Sequence, residues 1–154
     1  MTDEAHRPVP GVSWVAMVRS LRTPEARRNF APTVTLHASV LEGTCRGVEA
    51  VSAYFAAASS MYDSLRFTSE TASGPRTFLE WEGRALGYDV AGITVLMRNK
   101  AGRISNIRLY HRPLAALRRL SEELGKRLSG VLDREPPSLA RERVRKSASV
   151  RRQR

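Results

Sequence analysis

Three stretches in which apolar and polar residues alternate follow one another in the second half of the chain. They span Thr77–Ala85, Asp89–Arg98 and Arg103–Arg112. In the first stretch, Leu79 and Trp81 alternate with Glu80 and Glu82, the period of two that is typical of a strand with one buried face. Compact turns separate the stretches, so we expect three consecutive antiparallel strands.

The remaining pattern predicts four helices and two further strands. Ser13 is a predicted N-cap for a helix that ends at Leu21, and Thr23 caps a short helix that begins at Pro24. A third helix is expected from Val48 to about Tyr62. Two strands are expected at Thr33–Ser39 and Leu65–Thr71, with a loop at Leu41–Arg46. The last helix follows Pro113, and its predicted core-facing stripe is Leu114, Leu117, Leu120, Leu124 and Leu128.

This order of elements favours an α+β fold, in which helices gather on one side of a curved, antiparallel-rich sheet. No crossover helices separate the late strands, which argues against a parallel α/β fold. The chain of 154 residues is long enough for one domain. We expect a flexible N-terminus over residues 1–12, a domain over 13–130 and a C-terminal tail over 131–154.

Positive charge is concentrated at the C-terminus. The chain has a formal net charge of +11, and residues 126–154 hold ten Lys/Arg against three Asp/Glu. We expect a basic, disordered tail, with nonspecific nucleic-acid binding through it as an alternative function. The first eleven residues have no apolar core of a signal sequence, and no apolar run is long enough to span a bilayer, so a cytoplasmic location is expected.

His111 is the most informative candidate for chemistry, because it shares a strand face with Ile107 and Leu109. It is either the acid/base or orienting donor of a pocket, or a half-buried histidine bonded to a backbone carbonyl. His37 is expected to face away. The scattered histidines and the single cysteine, Cys45, give no metal-ligand spacing, so neither a metal nor a cofactor is expected.

Three segments carry a resemblance to a known family: Asn29–Leu36, Cys45–Val51 and Ala101–Ile104. With the order of elements, they make the chain similar to the nuclear transport factor 2-like superfamily, and more narrowly to its SnoaL-like branch, from roughly Trp14 to Leu124. The resemblance implies a cone in which helices cover the concave face of a bent sheet and leave a pocket. It also implies a dimer through the outer sheet face.

The catalytic sets of two family branches are not matched. Ketosteroid isomerases have a catalytic Tyr and two catalytic Asp. By the resemblance, the corresponding positions of this chain hold Trp14, Ala38 and Thr94, which cannot supply the base and donors that the reaction needs. Limonene-type epoxide hydrolases use an Arg-x-Asp pair, where Leu79 and Trp81 stand here. SnoaL-type cyclases use a late Asp, and His111 takes that place.

The resemblance therefore implies a small-molecule-binding protein with an apolar or aromatic pocket. It leaves open an enzyme of the cyclase, isomerase or hydrolase kind that uses His111. The alternative is a ligand-binding or dimer scaffold protein without turnover. The expected ligand is a small apolar or aromatic molecule, and no membrane partner is expected. The predicted pocket residues besides His111 are Trp14, Ala38, Phe55, Leu79, Trp81, Thr94, Leu96, Ile107 and Leu109.

Two groups of charged residues have simpler explanations than a catalytic site. Glu80 and Glu82 lie opposite the buried parity of their strand, so an outer sheet face is favoured over a catalytic carboxylate pair. Asp89 follows a turn, where Asp is common, and a place at the pocket mouth is the alternative. A two-fold dimer surface is expected on the outer face, formed by Glu80, Glu82, Arg84, Asn106, Arg108 and Tyr110.

Overall fold

The computed structural model describes residues 9–129, which form six strands and four helices. The helices are α1 (Val12–Arg19), α2 (Pro24–Arg27), α3 (Gly47–Ser59) and α4 (Leu114–Arg127). The strands are β1 (Phe30–Ala38), β2 (Cys45–Arg46), β3 (Tyr62–Ser73), β4 (Arg76–Ala85), β5 (Tyr88–Arg98) and β6 (Ile104–Arg112). The predicted α+β architecture is confirmed. The predicted tail over 131–154 and most of the N-terminal segment lie outside the described residues.

One curled, mixed sheet organises the fold, with strand order β2-β1-β6-β5-β4-β3. The three strands expected from the alternating pattern pair antiparallel in series as β4, β5 and β6. Strand β6 lies between β5 and the first strand, β1, and it pairs with β1 in parallel. The sheet is therefore antiparallel-rich, as predicted, with one parallel pair created by the long path from β1 to β6.

The structure corrects several details of the sequence prediction, and helix α1 ends at Arg19 instead of Leu21. Gly11, with φ of +73°, is the N-cap of α1, and Ser13 makes no cap; the Gly11 amide donates to Glu70 Oε2 at 2.9 Å, which fixes the start of the helix. The expected loop at 41–46 contains β2, which pairs with β1. Helix α3 ends at Ser59, and Tyr62 begins β3 instead of ending the helix. Leu114 is exposed in the first turn of α4.

The Thr23 cap is confirmed, since its hydroxyl accepts from the Ala26 amide at 3.3 Å. The core lies between one face of the sheet and the helices. Leu36, Leu79 and Ile107 are fully buried there, on the strand face that alternation assigns to the interior. Within residues 9–129, no helix is both long and apolar enough to cross a membrane.

Candidate functional site

A row of paired residues crosses the interior face of the sheet and forms the floor of a cavity. In register, Phe67 on β3 faces Trp81 on β4, Trp81 faces Gly92 on β5, and Gly92 faces His111 on β6. Gly92 has no side chain, and a Cβ there would lie less than 3.0 Å from Cζ2 of Trp81. The indole therefore extends across Gly92 toward His111, whose ring centroid lies 5.2 Å from its own at 73°.

The cavity has a volume of about 320 Å³, at the lower end of the range for small-molecule sites. Helices α1 and α3 cover it. Trp14 of α1 contacts Phe55 of α3 edge-to-face with centroids 5.3 Å apart. At the floor, Trp81 Nε1 donates to Thr94 Oγ1 at 3.1 Å, which satisfies a buried donor and fixes the indole plane.

Six of the ten sequence-predicted site residues line this cavity: Trp14, Phe55, Trp81, Thr94, Leu109 and His111. The other four do not line it, although they lie on the predicted face. Leu79 and Ala38 belong to the next paired row of the sheet, and Leu96 and Ile107 to the row beyond. All four are buried in the core, and Thr94 and Leu109, which share a row with Leu79 and Ala38, are the members of that row that reach the cavity.

The structure also places in the cavity wall polar residues that the sequence did not suggest. Tyr54 lies on α3, and Tyr62 opens β3; burial raises the pKa of both phenols above their ordinary value, and for Tyr54 the neighbouring Tyr62 and Cys45 add to this. Asp63 and Arg19 are also cavity-lining. A tyrosine inside a helix stripe looks like core in sequence, so only the fold reveals these hydroxyls.

His111 is half-buried and bonds to a side chain, not to the backbone carbonyl considered from sequence. Its Nδ1 lies 2.9 Å from Ser39 Oγ, and its backbone N–H donates to the same oxygen at 2.9 Å. Desolvation lowers its pKa to about 4, so the imidazole is neutral at pH 7. With both phenols protonated and the imidazole neutral, the less exposed titratable groups of the cavity wall carry no charge, and the charged lining residues Arg19 and Asp63 are exposed.

The remaining polar residues that the sequence analysis considered do not line the cavity. Glu80 and Glu82 are exposed, and Glu82 is paired with Arg66. Asp89 is exposed, forms an ion pair with Arg84 at 2.9 Å and is not among the residues that line the cavity. His37 is exposed on β1. Among residues 9–129, no group of three His, Cys, Asp or Glu is arranged to hold a metal ion.

The buried imidazole makes stability depend on pH. The pKa of His111 is about 4 in the folded protein and 6.5 in its ordinary state, so the unfolded chain binds the extra proton between these values. The free energy of unfolding therefore has its full value, as far as His111 is concerned, above pH 6.5. It falls by up to about 3 kcal/mol as the pH is lowered toward 4. We expect urea unfolding between pH 7 and 4.5 to show this loss.

The matched control for this pH dependence is His111→Gln, which keeps a polar side chain but does not titrate. Its free energy of unfolding should fall less between pH 7 and 4.5 than that of the wild type. Equal slopes would mean that His111 titrates normally in the folded protein.

Comparison with solved structures identifies the fold. The structure matches an uncharacterised bacterial protein with a cystatin-like fold from Silicibacter pomeroyi DSS-3, with TM-score 0.67 and 17% identity over 77% of this chain and 86% of that one. It matches a steroid delta-isomerase from Pseudomonas aeruginosa, with TM-score 0.63 and 20% identity over 76% and 87%. A de novo designed nuclear transport factor 2 fold protein matches with TM-score 0.50 and 16% identity over 71% and 91%.

At these identities the likeness shows the fold alone. No family profile matches this sequence, and no curated protein matches it.

Proposed function

We propose that this protein, whose chain has the nuclear transport factor 2-like, SnoaL-like fold, binds a small uncharged apolar or aromatic molecule in the cavity between α1, α3 and the sheet. The observation that carries the proposal is the wall of that cavity. Indole and phenyl rings form much of it, the less exposed titratable groups beside them are a neutral imidazole and two neutral phenols, and the two charged lining residues, Arg19 and Asp63, are exposed to solvent. A charged ligand would lose its hydration there without a full counter-charge.

The same wall favours binding over proton-transfer catalysis. An efficient general base has a pKa near the working pH, and His111, with a pKa of about 4, is a weak base at pH 7. Asp63 is the one carboxylate among the cavity-lining residues, and it is exposed. Turnover is the second candidate, supported by neutral donors that can stabilise a developing oxyanion; it would require Asp63 as the base.

Ligand binding can be measured directly, because both tryptophans of the chain, Trp14 and Trp81, line the cavity. We expect 2-acetylnaphthalene, a flat aromatic ketone, to quench the tryptophan fluorescence saturably. Mass spectrometry of small molecules that co-purify with the protein from a metabolite extract would then identify natural ligands.

Filling the cavity should abolish this binding. Val18 of α1 lines the cavity and is partly exposed, so Val18→Phe can fill space without disrupting the core. Ala16 lies on the same helix, is exposed and does not line the cavity, so Ala16→Phe is the matched control. Loss of binding in the first variant alone supports the proposal, and equal binding in both would contradict it.

A homodimer through the outer sheet face is the assembly we propose. One paired row of the outer face, across β4, β5 and β6, consists of Glu80, Ile93 and Tyr110. Ile93 is 38% exposed and Tyr110 is 52% exposed. Such neighbouring apolar side chains on an exposed sheet face favour association. We expect sedimentation at micromolar concentration to give the mass of two chains.

Charge at the centre of this face should separate the dimer. Tyr110→Asp should give single chains, whereas Leu114→Asp, which removes an exposed leucine of α4, should leave the dimer intact. A wild-type mass of one chain would overturn the assignment.

A further inference from the structure

Ser39, which lies directly after β1, makes two contacts with His111 although 72 residues separate them. Its backbone N–H donates to the carbonyl oxygen of Leu109 at 2.9 Å, so the parallel ladder between β1 and β6 continues one residue beyond the strand. The chain then turns, with the Leu41 amide donating to the Ala38 carbonyl at 2.9 Å. The Ser39 hydroxyl thus takes the place of the next backbone acceptor and satisfies the His111 amide.

The donors and acceptors around the Ser39 oxygen favour one position for the imidazole proton. A backbone amide can only donate, so Ser39 Oγ accepts from the His111 N–H. The hydroxyl then has one proton of its own, and Nδ1 of His111, 2.9 Å away, is the acceptor placed to receive it. In that arrangement Nδ1 is unprotonated, and the proton of the neutral ring is on Nε2.

We propose that Ser39 is a positioning residue that holds His111 as the Nε2–H tautomer and so makes this imidazole a hydrogen-bond donor toward the cavity. Ser39 itself does not line the cavity, whereas His111 does. Within residues 9–129, no hydrogen bond joins Nε2 to another protein group, so Nε2 is the ring nitrogen available to a ligand.

The consequence for recognition rests on the proposed function. A cavity in which the imidazole donates a hydrogen bond favours a ligand that has an acceptor atom at that place. It discriminates against a ligand of the same shape that lacks the acceptor. Trp81 supports this arrangement by packing edge-to-face against the ring, which limits rotation of the imidazole.

The first arm of the test is nuclear magnetic resonance of the imidazole nitrogens in the free protein, assigned by comparison with His111→Gln. We expect a pyridine-like Nδ1 and a pyrrole-like Nε2 for His111. In Ser39→Ala the Nδ1 resonance should move and the tautomers should mix, and Ser39→Thr, which keeps the hydroxyl, should restore the wild-type pattern. A pyrrole-like Nδ1 in the wild type, or an unchanged spectrum in Ser39→Ala, would overturn the proposal.

The second arm compares two nearly isosteric probes, 2-acetylnaphthalene and 2-isopropylnaphthalene. The wild type should prefer the ketone by about tenfold, the value of one buried hydrogen bond. Ser39→Ala should lose most of that preference and keep its affinity for the hydrocarbon, while Ser39→Thr keeps both. A purely structural Ser39 would change the melting temperature but not the preference, which would reject the proposal.

The two arms separate failure of this proposal from failure of the proposed function. If neither probe binds the wild type, the proposed function fails, and the nitrogen spectra still decide the role of Ser39. If both probes bind but the preference does not depend on Ser39, the cavity binds ligands and the positioning role is rejected.

Discussion

Replacing His111 with alanine is expected to weaken binding of 2-acetylnaphthalene by about tenfold to a hundredfold. The variant removes the imidazole that faces the cavity and leaves the ligand's acceptor atom buried without a donor, which costs about 1–3 kcal/mol. The fold should survive, because the Ser39 hydroxyl can still accept from the backbone N–H of residue 111. Fluorescence titration measures the affinity, and thermal unfolding checks the fold.

His37→Ala is the matched control, since His37 is an exposed histidine on the neighbouring strand β1. It should bind the probe as the wild type does. If the two variants bind equally well, or if His111→Ala unfolds, then His111 is a structural residue and the site assignment is lost.

The fold could be predicted because its signals are local. Alternation in the late strands identified β4, β5 and β6 with the correct interior face, and the Thr23 cap marked a helix start. The parallel pairing of β1 with β6 could not be read in the same way, because it joins segments about 70 residues apart. Boundaries failed where a distant contact decides them, as at Gly11, where a β3 carboxylate binds the amide.

The cavity was predicted only in part for a related reason. Alternation assigns a residue to a face of the sheet but not to a position along it. Trp81 and Leu79 have the same parity, yet Trp81 lines the cavity, whereas Leu79 is fully buried in the core and does not line it. Ser39 and Tyr54 were missed because their significance depends on groups that the folded chain brings to them, His111 for the first and the cavity for the second.

Gly92 is a position in the cavity floor where a single methyl group should damage the fold. A Cβ at Gly92 would lie less than 3.0 Å from the Tyr110 carbonyl oxygen and from two atoms of the Trp81 indole. The carbonyl belongs to the paired strand β6 and cannot move without breaking the ladder. The indole cannot move without losing its bond to Thr94 and its contact with His111. Overpacking of this kind costs about 1–3 kcal/mol and occasionally more.

We therefore expect Gly92→Ala to lower the free energy of unfolding by about 3 kcal/mol and also to weaken probe binding, because the displaced Trp81 is part of the cavity floor. Urea unfolding and tryptophan fluorescence measure the two effects. Gly125→Ala is the matched control: Gly125 lies inside α4, and a Cβ there would meet no atom within 4 Å. That variant should stabilise the protein by about 0.5–1 kcal/mol, since alanine favours the helix. If both variants change stability in the same direction, close packing of Trp81 over Gly92 does not hold this part of the sheet together.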